Sequence, residues 1–286
     1  MSQAATIVGH LAPDLDCLSA IWILVRFGGY TEALLRFVPS GSTLDGQPAD
    51  ADPLVIHVDT GGGRFDHHQP GRAALCAAEL VRRAVAPRDH VLADMAEQIN
   101  RLDHAQARAP RDDASRLFDI QALIEGHNLV FPDQPERVAH MMLPSFDAWY
   151  AYAARQRRLA EAFENRIEFE TPWGLGIAVE SAEGASSKQA FRKGAVLYVY
   201  RDGHGWMGIA AQSQSDVDLS PVFEALQSVD GDADWYLHPN RRLLVCGTAK
   251  SPPRHVSRLS LQELVHVIQQ PRSGRAPHSR ALPRSV

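Results

Sequence analysis

The sequence predicts an α/β fold: an N-terminal domain built on a parallel sheet, a helical connector, and a smaller C-terminal α+β domain. Three observations carry this expectation. Apolar runs rich in β-branched residues recur at 5–8, 34–38 and 54–58, with helical apolar spacing over 15–27 between the first two. From residue 73 to about 129 the pattern is helical throughout, and after Thr171-Pro172 short strand-like runs return. Strand, helix and strand at these intervals mark a parallel crossover unit, and unbroken rather than alternating apolar runs fit strands covered on both faces.

Taken in order, the first helix ends at Gly28-Gly29, where a residue without Cβ can close the last turn. Ala- and Leu-rich helices are expected over 73–86 and 91–102, and a third over 136–143 that stops before Pro144. A long helix then runs from Ser145, an N-cap residue type, to about Asn165. Strands follow at 175–179, 195–200, 206–211 and 243–245, with helices near 221–228 and 260–269. Residues 271–286 lack periodicity and read as a flexible basic tail. The expected boundaries are 1–130 for the N-terminal domain, 131–168 for the connector, 169–270 for the C-terminal domain and 271–286 for the tail.

With 286 residues, 45% of them hydrophobic and 22% charged, the chain has the mix of an ordinary globular protein of about two domains. Disorder, collagen and coiled coil are excluded for its bulk. Cys17, Cys76 and Cys246 are an odd number without CxxC spacing, which argues against a disulfide framework and a thiolate zinc site. The first 25 residues hold no Lys or Arg, and the longest apolar stretch, 18–25, is too short for a bilayer. A soluble cytoplasmic setting without membrane partners is expected. The net charge of −5 is uneven: from residue 241 onward nine Lys/Arg face the single acid Glu263.

Four clusters of metal-ligand residue types fall in the first 104 positions. They are His10-Leu11-Ala12-Pro13-Asp14-Leu15-Asp16 after the first strand, Asp59 before Thr60-Gly61-Gly62-Gly63, Asp66-His67-His68, and Asp103-His104 at a helix end. The first two lie where open α/β sheets gather ligands, at the carboxyl ends of strands. Mixed imidazole and carboxylate donors suit Mn2+, Zn2+ or Fe2+. Four Asp and two His exceed one ion's needs, and two ions about 3.5–4 Å apart sharing a carboxylate would use them all. Cys17, next to Asp16, reads as a small apolar group at a helix start.

His-x-x-Pro-Asp-x-Asp after a first strand, a strand-end Asp, then Asp-His-His and a later Asp resemble the DHH phosphoesterase superfamily, which includes RecJ-type exonucleases and family II pyrophosphatases. The segment from Val58-Asp59-Thr60-Gly61-Gly62 to Arg64-Phe65-Asp66-His67-His68-Gln69 is most similar to the MYG1 exonuclease-like branch, whereas Asp14 sides with the RecJ and pyrophosphatase pattern. The resemblance covers about residues 5–104. It implies a DHH-like catalytic domain with His10, Asp14 and Asp59 on one ion and Asp16, Asp59, His67 and Asp103 on the other, Asp59 bridging. It also implies that His68 faces the substrate phosphate and that Asp66 orients an imidazole. The implied cofactor is a pair of Mn2+ ions, with Mg2+, Co2+ or Zn2+ as alternatives.

The superfamily's C-terminal Gly-Gly-Gly-His signature is missing from residues 171–270, where Val245-Cys246-Gly247-Thr248-Ala249-Lys250 comes nearest. Arg241, Arg242, Lys250, Arg254, His255 and Arg258 form a basic stretch suited to phosphate. His204, Trp206 and Trp235-Tyr236 have the chemistry to stack bases, although Trp206 before Met207-Gly208-Ile209 reads as core. The leading expectation is a Mn2+-dependent phosphoesterase, an exonuclease or oligonucleotidase on single-stranded nucleic acid. A hydrolase of a small phosphorylated metabolite, nucleotide or pyrophosphate is the second expectation, and a non-enzymatic metal or nucleotide sensor the third. A homodimer is left open.

Overall fold

A computed structural model describes residues 4–72, 74–104, 119–183 and 187–270; the expected tail at 271–286 lies outside them. The chain divides into two compact units, Met1–Ala154 and Arg155–Val286, and the expected α/β class holds.

In the first unit, β1 (Thr6–His10), β2 (Leu34–Val38) and β3 (Val55–His57) form a parallel sheet of order β2-β1-β3. α1 (Leu15–Phe27) makes the crossover from β1 to β2 and is buried from Leu15 to Val25. Its start is fixed by Asp14, whose side chain accepts the Cys17 N–H, an N-cap worth roughly 1 kcal/mol. Gly28 closes it, as the sequence predicts. α2 (Ala77–Val85), α3 (His90–Asp103) and α4 (Ile120–Val130) follow. Asp89 caps α3 by accepting the Leu92 N–H and also receives the Tyr150 hydroxyl.

The expected helix break at Pro144 is corrected. α5 runs without interruption over Pro135–Glu164, so Ser145 is interior rather than an N-cap. A mid-helix proline removes one backbone hydrogen bond and costs about 3 kcal/mol in isolation. Here the ring sits on the exposed side of the helix. Met142 and Phe146, either side of it, are fully buried in the core with Trp22, and that packing carries the helix through. The Trp22 indole donates to Asp147, which also pairs with Arg26, so α1 and α5 are tied at the core's edge.

In the second unit the sheet order is β4-β5-β6-β7-β9-β8, with β4 (Ile167–Thr171), β5 (Gly174–Ser181), β6 (Leu197–Asp202), β7 (Met207–Ala211), β8 (Tyr236–Leu237) and β9 (Leu243–Cys246). Only β5–β6 is parallel, and α6 (Ser187–Arg192) lies in its crossover. The period of two along β6 puts Leu197 and Val199 into one core, with α7 (Ser220–Val229) and α8 (Leu261–Gln269), and Tyr198 and Tyr200 into another beside Phe163 and Ala190. The sheet is thus covered on both faces. A Ser260–Glu263 capping box starts α8.

Among the described residues no helix is long and apolar enough to cross a membrane. Replacing Phe146 by Ala removes a fully buried ring beside Trp22 and is expected to lower the unfolding free energy by about 3–5 kcal/mol. Denaturant titration checks this, and a loss below about 1 kcal/mol would show that α5 is not held through Pro144 by this packing.

Candidate metal centre

β1 and β3 end on the same edge of the parallel sheet, so the residues that follow them meet. His10 is the last residue of β1, and Asp14 and Asp16 stand at the start of α1. Asp59 follows β3 after Val58, which bridges to Phe65 and brings the 61–68 loop back onto the strand end. Its backbone is left-handed, with φ +55°, a conformation that Asp tolerates better than most residues.

The loop is shaped by Asp66. Its carboxylate accepts the Gly62 N–H at 2.8 Å and the His68 N–H at 3.0 Å, and contacts His68 Nδ1 at 3.0 Å. Gly61 and Gly62 both have positive φ. A Cβ at Gly61 would lie 3.0 Å from Thr43 Cγ2 and 3.1 Å from the His57 ring, so the positive φ favours glycine and the space for any side chain is tight. Asp66 therefore positions His68, whereas His67 points inward among the carboxylates.

The two oxygens of Asp59 face two different imidazoles. Oδ2 lies 3.3 Å from His10 Nε2, and Oδ1 lies 3.2 Å from His67 Nε2. Around His10 Nε2 the next oxygen is Asp14 Oδ1 at 3.8 Å. Around His67 Nε2 come Asp16 Oδ2 and Asp103 Oδ2, each at 3.6 Å. Asp59 is only 2% exposed, and its Oδ1 and His67 Nε2, though close, have no hydrogen-bond partner, with His68 Nδ1 a further 3.6 Å neighbour of Oδ1. Two such orphaned atoms facing one another in a buried site are costly unless a cation lies between them. Nitrogen and oxygen donors about 2.1 Å from a shared ion stand roughly 3.0–3.4 Å apart, close to the spacings here. The donor set fits divalent metal.

Asp16 has a second task. Its two oxygens accept the Ala77 and Ala78 N–H groups at 2.6 and 2.8 Å, which docks the N-terminus of α2 on the site. Burial and the neighbouring Asp59 charge nevertheless push its carboxyl above the usual range. Burial likewise raises Asp103. Burial alone would lower the His10 imidazole, but Asp14 and Asp59 outweigh it and raise it strongly. His67 is raised chiefly by Asp59. Among the described residues, no Lys or Arg nitrogen lies within 4.0 Å of the carboxylates of Asp14, Asp16, Asp59, Asp66 or Asp103. Imidazoles, backbone amides and the thiols of Cys17 and Cys76 approach them instead. A cavity of about 190 Å³ lined by Asp14, Asp16, Asp103, Leu102 and Gln121 adjoins the cluster. The His68 side chain, 62% exposed, is the cluster's outermost imidazole.

The structure thus brings together His10, Asp14, Asp16, Asp59, Asp66, His67, His68 and Asp103. Two more residues join them. His104 falls with His67 and Asp103 in one group of metal-ligand type, and Cys17 falls with His10 and Asp59 in another. The sequence places both beside ligand candidates, but reads Cys17 as a packing group and names His104 in the fourth cluster without assigning it to an ion.

The basic residues of the second unit are not gathered into one patch. Arg241 and Arg242 precede β9; Arg241 pairs with Asp218 at 3.1 Å, and the Arg242 guanidinium donates to the Ser215 carbonyl. Lys250, Arg254, His255 and Arg258 follow β9, whose four residues at about 3.3 Å each separate the groups. Asp234 accepts the Arg254 and His255 N–H groups and lies 3.7 Å from the His255 ring. Arg254, His255 and Arg258 line a cavity of about 690 Å³ with Asp230, Asp232 and Glu263. Trp235 is buried with its indole donating to Asp230. Trp206, half-buried, carries His204 stacked on it at 4.6 Å and lines a separate cavity with the 247–249 loop.

No protein-family profile and no curated protein matches the chain. Solved structures similar over most of its length include an uncharacterized protein from Helicobacter pylori G27, at 11% identity and TM-score 0.32, covering 93% of this chain and 99% of that one. Another is the DHH domain of a member of the s1p family of ribosomal proteins, at 13% identity and TM-score 0.30, covering 92% and 85%. Superpositions this loose do not define the fold or activity of this chain.

In chelator, Asp16→Asn leaves one α2 amide facing an NH2 group, and a loss of about 1–3 kcal/mol in unfolding free energy is expected. His68→Ala, at an exposed side chain, should stay within about 0.5 kcal/mol. Chemical denaturation of both variants in EDTA checks the pair; equal losses would contradict the docking role given to Asp16.

Proposed function

We propose that this protein is a divalent-metal-dependent phosphoesterase of the DHH type, hydrolysing phosphodiester bonds in single-stranded nucleic acid or short oligonucleotides. Mn2+ is its working ion, and Mg2+, Co2+ or Zn2+ are substitutes. The observation that carries the reading is Asp59: a buried carboxylate whose two oxygens each face a different imidazole, His10 on one side and His67 on the other. That is the arrangement expected of a carboxylate shared by two ions. His10 and Asp14 complete one donor group, and His67, Asp16 and Asp103 the other.

Two ions held there would activate a water near neutral pH and neutralise the phosphoryl oxygens during in-line attack. The protein's own part is positioning. Asp59 fixes the spacing of the two donor groups. Asp66 holds His68 by its backbone and ring, leaving Nε2 to donate to a phosphate oxygen. No Ser or Cys nucleophile is required. The retention of the full ligand set speaks against a sensor that has lost catalysis.

A second reading, hydrolysis of a small phosphorylated metabolite, nucleotide or pyrophosphate, is favoured by one observation. The basic residues of the second unit are split by β9, and Arg241 is engaged by an Asp. A long polyanion is bound largely through many phosphate contacts, so its affinity falls steeply with salt, whereas a small substrate gives a shallow slope.

The test is Mn2+-dependent cleavage of end-labelled single-stranded RNA and DNA by wild type and Asp59→Asn. Product ladders or mononucleotides from wild type alone are expected. Mn2+ should also raise the melting temperature of wild type and not that of Asp59→Asn, since only a bound ion stabilises the native state. A protein that binds Mn2+ but cleaves neither polymer would move the reading to a small phosphorylated substrate, tested next with pyrophosphate and nucleotides.

A further inference from the structure

Cys17 is the third residue of α1, directly after Asp16, and is fully buried. Burial alone would make it a packing group. Its surroundings go further. The Cys17 Sγ, a His10 ring nitrogen and an Asp59 oxygen all lie within 4.8 Å of one another. Donors at about 2.0–2.3 Å from a tetrahedral ion are roughly 3.3–3.8 Å apart, so a contraction of about 1 Å brings the three onto one ion.

Separate features hold the sulfur at that place. The strand gives up a side chain at Gly9, where a Cβ would lie 2.7 Å from Cys17 Sγ and 3.1 Å from the Phe37 ring. The Cys17 N–H donates to Asp14 Oδ1 at 3.0 Å, which ties the thiol's backbone to another donor of the same group. The Asp59 oxygen on this side is Oδ2, 3.3 Å from His10 Nε2, in a carboxylate only 2% exposed.

We propose that the Cys17 thiolate is a donor to the ion held by His10 and Asp59, an inference that rests on the two-ion reading. On binding, the S–H bond breaks, its proton passes to solvent and a sulfur–metal bond forms, with no change of oxidation state. The two ions would then differ in kind. One set is oxygen and nitrogen, with His67, Asp16, Asp59 and Asp103. The other contains sulfur, which favours Zn2+, Co2+ or Fe2+ over Mg2+ at that position.

Titration of the metal-free protein with Co2+, followed by absorption spectroscopy, tests this. Wild type should show visible d–d bands for bound Co2+ together with an intense near-ultraviolet thiolate-to-Co2+ charge-transfer band. Cys17→Ser and Cys17→Ala should lose the charge-transfer band while d–d bands persist, and Cys76→Ser and Cys246→Ser should keep it. Co2+ bound with d–d bands but no charge-transfer band, or a band that survives in Cys17→Ser, would overturn the inference and leave the two-ion reading standing. Absence of any Co2+ spectrum would overturn both. Circular dichroism of the variants confirms that a lost band is not a lost fold.

Discussion

The contact on which the first unit depends is that between Asp16 and the N-terminus of α2. Both carboxylate oxygens accept from the Ala77 and Ala78 amides, and these bonds join the start of α1 to an element about sixty residues later. The amides are those that no helix can satisfy internally, and the carboxylate is one that the neighbouring acids would otherwise repel. Each group resolves the other's problem. With α2 fixed, α3 follows it across the same core and delivers Asp103 to the His67 side of the cluster.

The cluster itself is an electrostatic bargain left incomplete by the polypeptide. Carboxylates converge on a sheet edge, and within the described residues no Lys or Arg answers them. The raised Asp16 and His67 are two faces of that shortage: a proton is the counter-charge available when nothing larger is bound. A protein that needed only stability would be expected to replace such a group with apolar side chains. The arrangement makes sense as a device for holding cations.

The α/β class, the three parallel strands and the first helix were legible in the sequence because each is a local pattern: apolar runs of strand length, helical spacing, a glycine stop. The convergence of His10, Asp14, Asp16 and Asp59 was legible from topology, since parallel strands put their carboxyl ends together. Other features were hidden. Pro144 reads as a break because its penalty is local, whereas the packing of Met142 and Phe146 that overrides it is tertiary. β4 was not read as a strand, and the expected boundary after residue 168 cuts through it, because Glu168 and Glu170 on its exposed positions obscure the pattern. The split of the basic stretch by β9 depends on strand direction, which composition does not carry. That Asp66 serves His68 rather than His67 is a matter of loop conformation.

The strand pairing also sets when the candidate metal-ligand cluster can assemble. The second unit is stitched mostly from near neighbours: β4 with β5, β6 with β7 and β8 with β9. The first unit closes β1 on β3 across some fifty residues, and its donors run from His10 to Asp103. Long loops must close before such contacts reward the chain. During synthesis, the first imidazole and carboxylates emerge long before the acid that completes their group. An ion captured early would meet an open, partial shell from which it could leave, so secure loading of such a cluster would belong to the last stage of folding and would itself report that the sheet has closed.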